Sequence, residues 1–307
     1  MNITVVLVTY NRIDDLKISL ACYSEQTYLP NSIIVVNNAS SDGTKEYLEK
    51  WNEKKEPFNK TVINSIENLG GAGGFAFGIQ EAIRLKCDYI FIADDDAFPE
   101  KDMFEVLIQK IKNDNSIYDD KPVAYCTSVI NNGKIDTMHR RRLVKKLGFI
   151  IKDIPISEDE YKKDYFELNY LTFVGALIDR KIVDKIGLPC TKYFIREDDA
   201  EFSLRLGACG RIVCVPDSKM NHNTGTASKL WLDYYTIRNN LHNIKRYFGQ
   251  PYYIYSKTIW YIKRCSFLAK IIKGRSDKYR KMCKQAIRDA DKGVFGFNES
   301  YSSKTIL

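Results

Sequence analysis

Long apolar runs are missing from this 307-residue chain: none approaches the roughly 20 residues that cross a bilayer. The apolar opening at residues 3–8 is too short for a secretion signal and has no basic flank. It is expected to be the first strand of a cytoplasmic protein. No two cysteines are spaced C-x-x-C. The eight (Cys22, Cys87, Cys126, Cys190, Cys209, Cys214, Cys265 and Cys283) are scattered, which argues against a zinc site or a disulfide framework and for reduced core thiols. There is no Walker A sequence, and no recognised nucleic-acid module accompanies the net charge of +8, so nucleic acid is not an expected partner. The apolar fraction of 44% supports a real core, enough for one large domain or a domain with an appendage.

What is present first is an apolar run, residues 89–93, that ends in three adjacent carboxylates, Asp94, Asp95 and Asp96. A buried strand closed by three negative charges is unusual. Crowded carboxylates raise one another's pKa, and a hard divalent cation would relieve the repulsion. Upstream, strands are expected at 3–8, 32–37 and 61–66, with helices at 14–23, 44–51 and 74–85. Strands alternating with helices predict an α/β fold: a mostly parallel sheet with helices on both faces, binding its ligands at the carboxyl ends of the strands. Every unusual motif of this half falls at such an end. Gly71 to Ala76 also fit G-x-G-x-x-[GA], but that dinucleotide fingerprint belongs after the first strand of its unit, and here it follows the third.

Farther along, a helix is expected at 101–112 and strands at 123–129, 171–178 and 211–215, the last closed by Pro216. The basic stretch His139, Arg140, Arg141, Arg142, Lys145 and Lys146 is expected in a solvated loop, the alternative being contact with an anionic acceptor or phospholipid. From residue 228 the pattern becomes helical. Trp231, Tyr234, Ile237, Leu241, Ile244 and Phe248 share one face. A second helix is expected at 256–273, with Lys263, Lys270 and Lys273 on one side. This basic region either packs on the rest of the chain or meets an anionic membrane surface. The boundary is expected at 225, giving a domain of 1–225 and a helical C-terminal appendage of 226–307.

A second acidic cluster, Glu197, Asp198, Asp199 and Glu201, leads into a short helix whose N-terminal dipole favours carboxylates. Some of these acids are expected to pair with Arg196 or Arg205, and one can act as a general base. About twenty residues on, His222 returns toward both acidic clusters as a candidate metal ligand.

These motifs, in this order, resemble the family-2 inverting glycosyltransferases of GT-A fold. The resemblance rests on residues 8–12, 36–44, 68–74, 93–97 and 196–201, and it covers roughly residues 1–225. The glycine-rich block before the Asp triplet is most similar to the galactofuranosyltransferases and their relatives. The resemblance implies that Thr9, Arg12, Asn37, Asn68, Gly70, Gly71, Asp94 and Asp95 line the site for a nucleotide sugar. It also implies that Asp94, Asp96 and His222 hold a Mn or Mg ion, and that Asp199, with Asp198 as the competing choice, is the base. Two positions depart from the pattern: Asn37 stands where many members have Asp, and Glu197 where relatives place an aromatic residue. The expected function is hexosyl transfer, from UDP-galactofuranose, onto a lipid-linked or growing bacterial surface glycan, with the enzyme peripheral to the inner membrane face. A dTDP-rhamnose-dependent transferase and a non-catalytic sugar-nucleotide-binding protein are the alternatives.

Overall fold

Alternate residues of strand β1 (Ile3–Thr9) point to opposite sides of a sheet, and each side meets its own core. Ile3, Val5 and Leu7 join Ile33 and Val35 in one apolar cluster. Val6 and Val8 join Ile34 and Val36 in the other. This period of two, with both faces apolar, is what a strand covered by helices on both sides requires.

The structure, a computed structural model, describes residues 1–117, 121–222, 230–266, 269, 271 and 274–303. After β1 come α1 (Ile13–Ser24), β2 (Ser32–Asn37), α2 (Thr44–Glu53), β3 (Asn59–Asn64), α3 (Gly70–Arg84) and β4 (Tyr89–Asp94), as the periodicity predicts. The chain continues through β5 (Phe98–Pro99), α4 (Met103–Ile117), β6 (Ala124–Asn131) and β7 (Lys134–Ile135). Then follow β8 (Arg140–Lys146), β9 (Ile150–Pro155), β10 (Phe166–Leu168), β11 (Tyr170–Leu171) and β12 (Ala176–Asp179). Helices α5 (Arg180–Ile186) and α6 (Asp198–Gly207), strand β13 (Ile212–Asn221), and helices α7 (Leu232–Tyr247), α8 (Gln250–Trp260) and α9 (Asp277–Lys292) complete the described elements.

The main sheet runs β10-β13-β6-β12-β4-β1-β2-β3. Strands β4, β1, β2 and β3 are parallel neighbours, and β13 is parallel to β6, while β12 runs antiparallel between β4 and β6. Helices α1, α2 and α4 cover one face through Leu16, Tyr23, Trp51 and Phe104. Helices α3 and α6 cover the other through Phe75, Ile79, Phe202 and Leu206. The expected α/β architecture with helices on both faces is therefore present.

Four local expectations need correction. The strand expected to stop at Pro216 runs on to Asn221, because a bulge between Val215 and Lys219 absorbs the residue that cannot donate to the ladder. The strand expected at 171–178 is interrupted between β11 and β12, where Gly175 adopts φ of +74°. The basic stretch at 139–146 is not a solvated loop. It forms β8, paired with β9 and β11 in a separate three-stranded sheet, and Arg140 is fully buried. Finally, the helix expected from 256 begins at Gln250, with proline in its first turn, and passes into a π turn at Tyr261–Cys265. Lys270 and Lys273 lie outside the described residues.

The last helices enclose a third apolar cluster that includes Tyr234, Ile237, Leu241, Met282 and Ile287, together with Ile151 of β9. Phe194 and Ile195 pack against it. Helix α7 is thereby seated beside the second acidic cluster. All eight cysteines are free thiols.

Candidate functional site

The carboxyl ends of β1, β2 and β4 deliver the first residues of the site. Thr9 ends β1 fully buried, and its carbonyl accepts the Asn38 N–H at 2.9 Å. Arg12, three residues on, reaches across to β4: its Nη1 donates to Asp95 Oδ1 at 3.0 Å and to Asp96 Oδ2 at 2.6 Å. His222 arrives from the end of β13, its N–H held by the Ile130 carbonyl at 2.8 Å. Its Nε2 lies 3.2 Å from Asp96 Oδ1. The bulge at Pro216 is what lets β13 extend far enough to bring it there.

Crowding of the triplet is thus relieved unevenly. Burial, then the Asp96 charge, pushes Asp94 up to about 7. Burial raises Asp95 to about 6 against the pull of Arg12. Burial acts on Asp96 too, but His222 and Arg12 hold it below the usual carboxylate range. Desolvation, more than mutual repulsion, is therefore the main cause of the raised values.

Ligand atoms of Asp94, Asp96 and His222 all lie within 4.8 Å of one another. Among the described residues, His222 Nδ1 is buried without a hydrogen-bond partner, and Asp96 Oδ1 has only His222 Nε2 beside it. Two carboxylates and an imidazole with unused lone pairs suit a hard or borderline divalent cation such as Mg or Mn. The residues present fit the expected ion.

Against His222 packs a residue expected in a solvated loop. The ring of His139 meets that of His222 edge-on at 5.3 Å between centroids, and its Nδ1 is 2.8 Å from Thr172 Oγ1. Burial, Arg140 and His222 push its pKa down to about 3, so it is neutral.

The asparagines of the second and third loops are engaged with their own neighbours. Asn37 donates to Asn64 Oδ1 at 2.9 Å and accepts from the Ser40 N–H at 3.0 Å. Asn68 Oδ1 accepts from Asn38 Nδ2 at 3.1 Å and from the Gly70 N–H at 2.8 Å. The glycines beside them have packing reasons. A Cβ on Gly70, whose φ is +70°, would sit 1.9 Å from the Phe194 carbonyl oxygen, and one on Gly74 would sit 2.5 Å from a Val8 methyl. Gly71 alone opens onto free space.

The Gly70 contact ties the glycine loop to the second acidic cluster. Here Phe194, Arg196 and Glu197 have φ of 67°, 69° and 65°, a left-handed backbone that costs non-glycine residues about 1–3 kcal/mol each. Strained backbone of this kind persists only where its surroundings hold it. Every carbonyl from 193 to 197 has a donor. Ala72 N–H reaches Phe194 O at 3.1 Å. Asn239 Nδ2 reaches Tyr193 O, Ile195 O and Arg196 O at 3.3, 3.1 and 2.9 Å. Asn243 Nδ2 reaches Glu197 O at 3.1 Å, and Arg238 Nη2 reaches Tyr193 O at 3.1 Å.

This segment presents Asp198 and Asp199 at the start of α6. Burial, then the Asp199 charge, lifts Asp198 well above the carboxylate range, and the charge of Asp94 contributes. The two acidic clusters therefore sense each other. Asp199 is raised by burial, but the Ala200 N–H at 2.7 Å and the charges of Arg196 and Arg141 oppose the rise. Glu201 is committed elsewhere, held by Arg205 Nη2 at 2.7 Å and by the Tyr247 hydroxyl. The expected pairing with Arg205 is thus present. Arg141 belongs to the basic stretch named from sequence, though not as a neighbour of Asp199, whereas the α7 trio of Arg238, Asn239 and Asn243 is absent from the sequence reading. The signal for the trio is polar residues inside an otherwise amphipathic helix.

Burial pushes Glu197 up to about 8, against a hydrogen bond from Asn240 at 3.0 Å. An acid raised in the folded state binds a proton that the unfolded chain has released, so folding loses stability as pH rises between the ordinary 4.5 and about 8. Glu197→Gln is expected to flatten that part of the stability profile. Urea unfolding at pH 5 and pH 8 checks it, and parallel profiles for the two proteins would refute it.

The profile described as Glycosyl transferase family 2 matches residues 4–187 of this chain. The chain is 28% identical over 205 residues to the galactofuranosyltransferase GlfT1 of Mycolicibacterium smegmatis, covering 67% of this chain and 65% of that protein. The match thus spans less than two thirds of the relative's length. Among solved structures, Staphylococcus aureus TarS 1-349 in complex with UDP-GlcNAc superposes with a TM-score of 0.62 at 14% identity, over 96% of this chain and 82% of that one. GalNAc-T7 with UDP, GalNAc and Mn2+ gives 0.61 at 15%, over 96% and 56%. At these identities the likeness establishes the GT-A fold alone.

Proposed function

Because this chain belongs to glycosyl transferase family 2, we propose that it transfers a hexose with inversion from a nucleotide diphosphate sugar, UDP-galactofuranose, to a lipid-linked or growing surface glycan. The observation that carries this reading is the convergence of Asp94, Asp96 and His222 at the carboxyl ends of β4 and β13, with the charge of Asp94 acting on Asp198 at the start of α6. The galactofuranosyltransferase relatives support this donor, and both structural neighbours hold UDP or a UDP sugar.

Asp199 is the base. Arg196, Arg141 and the Ala200 N–H all favour its charged form, whereas among the described residues the groups that oppose the burial of Asp198 are backbone N–H groups. The acceptor hydroxyl gives its proton to Asp199, and its oxygen bonds to the anomeric carbon. The bond from that carbon to the phosphate oxygen breaks, and the nucleoside diphosphate leaves from the opposite face. Asp94, Asp96 and His222 would hold a divalent ion, which would supply positive charge for the departing diphosphate. Arg12, already on Asp95 and Asp96, is the cation next to them. Thr9, Asn37, Asn68, Gly70 and Gly71 form the floor and edge of the donor site, with Gly71 leaving open space for the ligand.

A ligand that binds only the native state stabilises it, by about 2.7 kcal/mol at a hundredfold excess over its Kd. UDP with Mn is therefore expected to raise the melting temperature, and Asp96→Ala to abolish the rise. A preference for dTDP in the same assay would move the donor to dTDP-rhamnose. The absence of any nucleotide effect would sink the reading.

Membrane contact belongs to the same proposal. No described helix is long and apolar enough to cross a bilayer. The β8–β9 turn, however, exposes Leu147 and Phe149 at 78% and 41%, and Phe149 meets Tyr255 of α8. Ile254, Tyr261 and Ile262 are exposed nearby in sequence to Tyr255, and Lys145, Lys146, Lys152 and Lys263 are exposed in the same two elements and the π turn. Apolar side chains among cations suit an anionic lipid surface. The protein should sediment with phosphatidylglycerol vesicles but not with phosphatidylcholine vesicles, and Leu147→Ser with Phe149→Ser should weaken this. Equal sedimentation of the variant would refute the patch.

A further inference from the structure

The three buried polar residues of α7 all donate to backbone carbonyls of one segment, and the Arg238 guanidinium lies in addition over the rings of Tyr234, Tyr235 and Phe295. Arg238 and Asn239 are fully buried and Asn243 nearly so. Burying an arginine and two amides costs free energy unless each polar atom finds a partner. Here the partners are backbone carbonyls of the strained segment that leads into Asp198 and Asp199.

The orientation of Asn239 is determined by its neighbour. Arg238 Nε donates to Asn239 Oδ1 at 2.9 Å, and a guanidinium has no acceptor capacity. The oxygen of the amide must therefore face Arg238, and its NH2 must face the loop. There it meets Tyr193 O, Ile195 O and Arg196 O, carbonyls of the segment in which Phe194, Arg196 and Glu197 have positive φ. Arg238 itself is anchored from the far side by the Gly296 carbonyl at 2.9 Å, and the Tyr193 hydroxyl bonds to Asn243. On the opposite side of the loop, the absent side chain of Gly70 leaves room for Phe194 O, which takes the Ala72 N–H. The segment is held between the glycine loop and α7.

We infer that Arg238, Asn239 and Asn243 are positioning residues for transfer: they fix the 193–197 backbone and through it the carboxylate of Asp199. Their burial keeps all three from the surface that a donor or acceptor would reach. This inference rests on the transferase reading for its kinetic consequence, while its structural consequence stands without it. A displacement of about 1 Å in a reacting group can cost on the order of 10²-fold in rate. Nothing in the arrangement links these residues to the Asp94, Asp96 and His222 group directly.

The decisive variant is Asn239→Asp. It keeps the size of the side chain and an oxygen for Arg238, so the helix core is retained. It replaces the donor with an acceptor that repels three carbonyls. The expected result is a fall in kcat of about 10²-fold, with the Kd for UDP and Mn unchanged within about threefold and the melting transition still cooperative. Asn243→Asp, tested in parallel, should act in the same direction. Hydrogen exchange of the 193–199 amides is read alongside, and it should speed up while β1 and β4 stay protected. A purely structural role would lower kcat, UDP affinity and global protection together, and that result overturns the inference. So does unchanged exchange at 193–199. If the wild-type protein turns over no sugar nucleotide, the transferase reading falls, and exchange alone decides whether the clamp exists.

Discussion

Replacing Asp199 with Asn is expected to lower transfer by roughly 10³-fold, within the 10²–10⁴ range for loss of a positioned base, while UDP and Mn bind as before. The substitution keeps the shape and the acceptor that takes the Ala200 N–H, so the start of α6 is undisturbed. It removes only the capacity to take a proton. Asp198→Asn is the matched control. That acid lies deeper, and burial and the Asp199 charge raise it, so an amide in its place is expected to disturb the site less. Steady-state rates for the two variants, with nucleotide affinity measured separately, check the assignment. A larger loss in Asp198→Asn would exchange the roles of the two acids. Loss of UDP binding in folded Asp199→Asn would remove Asp199 from the role of base altogether.

The largest effect on stability is expected at Arg140. Its guanidinium is fully buried and donates to the carbonyls of Thr127, His139, Val174 and Gly175 at 3.0, 2.9, 2.7 and 3.2 Å. The Thr127 carbonyl lies in β6, those of Val174 and Gly175 in the break between β11 and β12, and that of His139 just before β8; Gly175 O also takes the Thr127 N–H at 3.0 Å, so the other three depend most on Arg140. Arg140→Met preserves the apolar stem but removes every donor. At roughly 1–3 kcal/mol for each buried acceptor left without a partner, the cost should reach about 3–5 kcal/mol. That is a large part of the 5–15 kcal/mol typical of a folded domain. Arg140→Lys should recover little, because a single ammonium cannot reach several carbonyls in a planar fork. Urea unfolding measures both variants, and a loss below about 1 kcal/mol for Arg140→Met would show that the carbonyls find other donors. The same variant should disturb His222, since His139, next in the chain to Arg140, packs against it.

Residues 139–142 show where sequence reading stops. Three consecutive arginines have the same intrinsic chemistry, and nothing local distinguishes Arg140 from Arg142. In the fold Arg140 is fully buried, while Arg142 is exposed and pairs with Glu160 at 3.4 Å. Which arginine is inside depends on the register of β8 and on carbonyls contributed by residues over thirty positions away. The same holds for His222, legible as a ligand candidate but carried to Asp96 only because β13 continues past Pro216 through a bulge.

By itself the sequence determined the alternation of β and α elements, the two apolar faces of the sheet and the placing of Asp94 to Asp96 at a strand end. Periods of 2 and 3.6 and the chemistry of adjacent residues are local properties, readable without coordinates. Only the tertiary structure decided which of the charged residues are neutralised and by what. It put Arg12 on Asp95 and Asp96, tied Glu201 to Arg205, and folded α7 back so that Asn239 holds the loop before Asp199. The physical reason is that desolvation and hydrogen bonding depend on which atoms converge in space. Residues 12 and 95, or 196 and 239, are brought together by packing that no single segment of the chain encodes.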